Sequence, residues 1–215
     1  QAVHFAAQAI MSGTMDVIVA GGVQTMTQIP ISSAMMVAEP MGFKDPFTGS
    51  KGWVERYGNV PPTQLNSAQM IADKWGFSRR DLEVFSLESH TRALRAIKEG
   101  RFDREIVPLA GVTMDETPRV STLEKMAELE FLFGCDKVTA AVSSQTCDAA
   151  SAMLLVSEKA LKRYNLTPRA RIHHMSVRAD DPVWMLTAPI RATQYALKKT
   201  GMTMNDIDLV EINEA

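Results

Sequence analysis

Small residues open the chain (Ala2, Ala6, Ala7, Ala9), predicting a buried helix that lies close against its neighbours and stops at Gly13. A β-branched run over residues 16–20 follows, of the kind found in strands covered on both faces, and Gly21-Gly22 marks a turn or a close backbone approach. From about Thr27 to Thr63 the periodicity dissolves among Pro30, Pro40, Pro46, Pro61 and Pro62. Helical spacing resumes over residues 67–75, closed by Gly76. The next helix has Ser78 as cap with Asp81 three residues on, carries Leu82, Phe85, Ser89, Ala93 and Ile97 as its inward stripe, and ends at Gly100. After about Val138 strand and helix alternate. The pattern predicts a strand over 152–156, a short helix capped by Ser157, a strand over 169–174, a helix over 189–199 closed by Gly201, and a strand over 208–212. This is the signature of an α/β fold in which sheets pack between helices, interrupted by a mainly helical insertion. The opening helix has neither an initiator Met nor a cap before it, so the sequence is expected to be an internal piece of a longer protein.

With 215 residues, 46% of them hydrophobic, the chain can bury a substantial core. A formal charge of −2 with interspersed signs gives no basic field for nucleic acid and no polybasic stretch for an anionic membrane. No apolar run approaches the roughly 20 residues that span a bilayer. Two cysteines, Cys135 and Cys147, without a CxxC pair or a Cys/His cluster, argue against a disulfide scaffold or a zinc site and fit a reducing cytoplasm. The residues by themselves offer poor nucleophiles. Cys147-Asp148 with His173 or His174 has the types of a Cys/His/Asp set. A cysteine beside a strand start, however, usually reads as a small buried apolar residue, and adjacent histidines on a strand point to opposite faces. Cys135 in Phe-Gly-Cys-Asp reads as a loop position, and His4 and His90 as helix residues.

Several separated segments, in order, resemble the thiolase family. Asp16-Val-Ile-Val-Ala-Gly-Gly-Val-Gln-Thr-Met26 is similar to its strand and glycine turn. Ser78-Arg-Arg-Asp81, Ser89-His90, Gly100-Arg-Phe102 and Glu105-Ile-Val-Pro108 resemble its loop-domain helix and the segment after it. Asp115-Glu-Thr-Pro-Arg119, Val138-Thr-Ala-Ala-Val-Ser-Ser144 with Asp148, then Pro182, Met185 and Pro189, and finally Asn213-Glu-Ala215 complete a match over nearly the whole chain. The resemblance implies a layered α-β-α-β-α core with a helical loop domain. Residues 1–27 would belong to an N-terminal α/β domain, 28–143 to the CoA-binding loop domain, 144–167 to the return into the first domain, and 168–215 to the start of a C-terminal α/β domain.

The same resemblance implies the site. Asn213 would hold a water that stabilises an enolate or thioester oxygen, Glu214 would orient neighbours, and Ala215 would lie against pantetheine. Ser144 would bond a pantetheine amide, with Ala140 lining the same channel. Arg119 would meet the adenine and phosphate end of CoA, Lys125 falls where many members place a CoA-contacting serine, and Met185 matches a methionine beside the reacting thioester. The implied reaction is thiolytic cleavage of a 3-ketoacyl-CoA by CoA, or the reverse condensation, through an acyl-cysteine. That cysteine and the catalytic histidine belong to segments not in this sequence, so the chain alone is expected to be inactive. CoA acts as co-substrate, with no prosthetic group and no metal, and a homodimer or dimer of dimers is expected. Gln24, Cys147 and Ala149 depart from the family's usual residues, and Thr63-Gln64 stands near where many biosynthetic members carry a His-Met pair; these differences lean towards a degradative enzyme for longer or cyclic acyl chains. Two other readings are a non-catalytic thiolase-like subunit that binds acyl-CoA or a partner enzyme, and a ketoacyl synthase relative. The latter has a different loop domain and lacks Asn-Glu-Ala after the strand.

Overall fold

The computed structural model describes residues 1–213. In chain order its regular elements are α1 (Ala2–Met11), β1 (Val17–Thr25), α2 (Ser33–Met36), α3 (Lys51–Tyr57), α4 (Gln64–Trp75), α5 (Arg79–Lys98), α6 (Leu123–Ala127), β2 (Asp148–Val156), α7 (Glu158–Arg163) and α8 (Ala188–Thr200). They fall into two compact units. One comprises Gln1–Phe43, Thr146–Ala179 and Pro189–Leu209; the other comprises Lys44–Gln145, Asp180–Ala188 and the residues from Val210 onward.

In the first unit β1 and β2 form an antiparallel ribbon whose register runs from Val17 opposite Val156 to Thr25 opposite Asp148. α1 lies on one face, where Ala6, Ala7, Ala20 and Leu155 make a small core flanked by Ile10, Ile18 and Met175. Alanines suit this contact because short side chains let helix and ribbon approach closely. Gly21 belongs to the strand and makes no turn. A Cβ there would stand 3.0 Å from the Ser151 carbonyl oxygen, so glycine eases the close approach of the paired backbone. Asp16 ties the start of the ribbon to α7. Ser157 donates its hydroxyl to the Asp16 carboxylate at 2.7 Å while accepting from the Ala160 N–H as the helix cap. The Ser157 hydrogen bond and then that from Lys159 hold the Asp16 carboxyl below its ordinary pKa.

Three expectations change here. The run over 16–20 is covered on one face only, with Val19 68% exposed on the other. Of α1, only Ala6 and Ala7 are buried. The stretches 169–174 and 208–212 are not paired in a ladder, because a strand exists only beside a bonding neighbour and none of the described residues supplies one.

The second unit is built on α4 and α5. Thr63 caps α4 and Gly76, at φ +70°, ends it in the left-handed region. Ser78 and Asp81 form a reciprocal capping box at the start of α5, as the spacing predicts. Leu82, Ser89, Ala93 and Ile97 of the predicted inward stripe of α5 are half-buried, but Phe85 departs from it. Phe85 is 68% exposed, whereas Glu83 is 2% exposed. Charge pairing outweighs residue hydrophobicity at this position, because Arg79 one turn earlier meets the Glu83 carboxylate at 2.7 Å.

Candidate functional site

Arg119, Lys125, Ala140, Ser144 and Met185 all lie in the second unit, and all are exposed to solvent. Asn213 belongs to the same unit and is also exposed. Glu214 and Ala215 lie outside the described residues. The segments bearing Arg119, Lys125 and Ala140 converge on α5, which anchors each through its backbone.

Lys125 sits in α6, a helix of little more than one turn that Thr122 caps by accepting from the Lys125 N–H at 3.3 Å. So short a helix cannot hold itself together, and its last carbonyls lack intrahelical partners. Arg79 supplies the partners. Its Nη2 donates to the carbonyl oxygens of Met126 at 2.9 Å, Ala127 at 3.1 Å and Leu129 at 2.8 Å, while its Nε donates to Glu83. A cation at a helix C-terminus also complements the helix dipole. The guanidinium lies 4.8 Å from the centroid of the Phe131 ring, and Met126 of α6 is buried.

Ala140 starts a short 3-10 turn, Ala140–Val142, whose preceding residue Thr139 is fully buried and caps it at the Ala141 N–H. The Ser86 hydroxyl of α5 donates to the Ala141 carbonyl at 2.6 Å. Ser143 donates back to the Thr139 carbonyl at 3.0 Å, so Ser144 follows a backbone fixed at two points. Gln145 Nε2 reaches the Thr117 carbonyl at 3.4 Å, linking this strand of chain to the one that carries Arg119. The Arg119 N–H in turn donates to His90 Nδ1 on α5 at 3.4 Å.

Met185 is anchored from α4. Fully buried Ser67 donates to the Trp184 carbonyl and accepts from the Leu186 N–H at 3.3 Å, bonding both neighbours of Met185. Gln69 accepts from the Asp136 and Lys137 N–H groups, each at 3.1 Å, and Lys137 pairs with Asp73 at 2.6 Å. Lys137 and then Gln69 keep the Asp73 carboxyl below its usual value. Arg79, Ser86, His90 and Ser67 are absent from the sequence-predicted site. The available signal was a polar line on α5, Arg79, Glu83, Ser86 and His90, whose spacing puts all four on one helix face.

The other chemistry-bearing residues are arranged differently. Cys135 contacts the Leu65 carbonyl at 3.7 Å, and burial, then the nearby Asp136, pushes its thiol up from the ordinary value, opposite to what a nucleophile needs. Cys147 is half-buried in the position preceding β2. A hollow of about 740 Å³ in the first unit is lined by His4, His174, Arg178, Tyr195 and others. It contains none of the predicted site residues, and its Arg178 guanidinium is stacked 3.3 Å from the Tyr195 ring centroid. His173 is exposed and His174 half-buried, with its Nε2 buried and unbonded among the described residues. Among the described residues no cluster of His, Cys, Asp or Glu is placed to hold a metal ion, and no helix is long and apolar enough to cross a membrane.

The sequence matches the model of the thiolase N-terminal domain over residues 1–159 and that of the thiolase C-terminal domain over residues 166–215. It is 56% identical over 219 aligned residues to the steroid 3-ketoacyl-CoA thiolase FadA6 of Mycobacterium tuberculosis, covering 100% of this chain and 54% of that protein. It is 38% identical to a 3-ketoacyl-CoA thiolase of Marinomonas sp., covering 100% of this chain and 55% of that protein. The crystal structure of human mitochondrial 3-ketoacyl-CoA thiolase superposes with a TM-score of 0.81 at 31% identity, over 100% of this chain and 57% of the human one. The chain thus spans about half the length of the curated relatives it matches. With both domain models matched in order and the backbone following a solved thiolase, the α/β fold is that of the thiolases and the chain belongs to the thiolase family.

Proposed function

We propose that the full-length protein carrying this chain is an acyl-CoA C-acyltransferase that cleaves a 3-ketoacyl-CoA with CoA, or runs the reverse condensation, through an acyl-cysteine outside this chain. The single observation carrying this reading is the 56% identity, across the whole chain, to a protein named as a steroid 3-ketoacyl-CoA thiolase. The same relative supports a degradative role and a bulky, cyclic acyl group. In this reading the second unit forms the wall against which CoA lies. Residues 28–143 act as the CoA-binding loop domain, 1–27 and 144–167 belong to the N-terminal α/β domain, and 168–215 begin the C-terminal one. Arg119 and Lys125 meet the nucleotide end, Ser144, Ala140 and Ala215 the pantetheine, and Met185 the region of the thioester. Asn213, supported by Glu214, stabilises oxygen charge as the carbon–carbon bond breaks, a preorganised dipole of the kind worth about 3 kcal/mol. CoA and acyl-CoA are substrates, no prosthetic group or metal takes part, and the enzyme works in the cytoplasm as a homodimer or dimer of dimers.

The test is turnover by the purified full-length protein, with CoA and straight-chain or steroid-ring 3-ketoacyl-CoA substrates, following release of the shortened acyl-CoA. Cleavage is expected, faster with the cyclic substrate, and Asn213→Ala lowers kcat by about two to three orders of magnitude with CoA binding nearly intact. CoA binding without any turnover would instead establish a non-catalytic acyl-CoA-binding subunit.

A further inference from the structure

We propose that Arg79, Ser86 and His90 are positioning residues for coenzyme A, acting through a single face of α5 that fixes the three chain segments bearing the CoA contacts. This rests on the reading of Arg119, Lys125, Ala140 and Ser144 given above. The argument begins with an expense in solvation. Glu83 is 2% exposed, and a buried carboxylate with its guanidinium seldom holds a fold together better than apolar residues of equal size. What the pair supplies is direction. Glu83 engages Nε of Arg79 and leaves Nη2 aimed at three carbonyls around the end of α6, in the turn that carries Lys125. Two turns along, Ser86 fixes the Ala141 carbonyl within the turn that Ala140 begins; one turn further, His90 takes the Arg119 N–H. Residues 79, 83, 86 and 90 recur on one side of the helix, so one rigid rod sets the spacing of all three segments. Every anchor bonds backbone, which leaves the side chains of Arg119 and Lys125 free to face a ligand. A nucleotide-bearing ligand as long as CoA gains affinity when its phosphate and amide partners are already spaced to receive it.

The experiment uses the full-length enzyme and reads KM for CoA, kcat and thermal stability for Ser86→Ala, Ser86→Thr and Arg79→Lys. Ser86→Ala removes one anchor, and Ser86→Thr keeps the hydroxyl. Arg79→Lys keeps the charge and loses the fork. Ser86→Ala and Arg79→Lys are expected to raise KM for CoA about tenfold with kcat within about twofold, and Ser86→Thr to restore it. If Arg79→Lys does not fold, the Ser86 pair decides alone. A lowered melting temperature with unchanged KM would show that α5 only supports the fold and would overturn the proposal. Arg119→Ala and Lys125→Ala separate this from its premise. If neither alters KM for CoA, the CoA reading of these segments fails and the proposal with it; if both raise KM while Ser86→Ala does not, the positioning role alone fails.

Discussion

Thr27 donates both its backbone N–H, at 3.0 Å, and its hydroxyl to the carboxylate of Asp148, which is 121 residues further along the chain. Since Asp148 begins β2 opposite Thr25, this contact closes the end of the ribbon where two distant segments meet.

The contact makes stability depend on acidity. The Thr27 hydroxyl, then the Thr27 N–H, keep the Asp148 carboxyl below its ordinary pKa. A carboxyl depressed in the folded state stabilises the fold above its unfolded value of about 3.9, and that contribution disappears as pH falls through the lower folded value. Asp148→Asn should therefore lower the melting temperature of the full-length protein at pH 7, with the difference from wild type closing as melts are taken towards pH 2. A constant difference across that range would show that the charge is immaterial.

Glu83→Ala should destabilise the protein by about 3 kcal/mol, at the lower end for a broken buried pair because Arg79 keeps its carbonyl acceptors. Urea unfolding measures this, and a loss below about 0.5 kcal/mol would match a solvated surface pair instead.

Ser78→Ala removes an acceptor for the Asp81 N–H and one donor to the Asp81 carboxylate, and should cost about 1 kcal/mol. Hydrogen exchange is the sharper measurement, because the loss should concentrate in the first turn of α5.

Cys135 should alkylate with iodoacetamide near neutral pH several-fold more slowly than a free thiol, since burial and Asp136 both disfavour its thiolate. Peptide mass spectrometry following the rate at that residue checks this directly, and a rate above that of free cysteine would contradict the environment described.

The α5 helix was legible in the sequence because its boundaries are local chemistry: Ser78 with Asp81 at one end and Gly100 at the other. Its inward face was legible only in part: Leu82, Ser89, Ala93 and Ile97 are half-buried, but ranking by hydrophobicity favours Phe85 over Glu83, and that outcome turned on a charged partner one turn away. The stretches 169–174 and 208–212 have strand-like composition, but a ladder is a property of two segments and is not encoded in either alone. At the candidate site, the order of the motifs points to Arg119, Lys125, Ser144 and Met185, and the structure places all four, exposed, in the second unit. The bonds that Arg79, Ser86 and Ser67 make were not legible, because each side chain acts on the backbone of a distant segment, and a carbonyl oxygen has no sequence signature.

The ribbon has a consequence of a different kind. Val19, Val23 and Leu154 stand on its uncovered face, and among the described residues each strand has one edge with no neighbouring strand. Bare apolar strands with open hydrogen-bonding sides template further strand addition, so this polypeptide released alone should self-associate. Keeping it in solution then depends on whatever occupies that face, and light scattering should rise with concentration wherever nothing does.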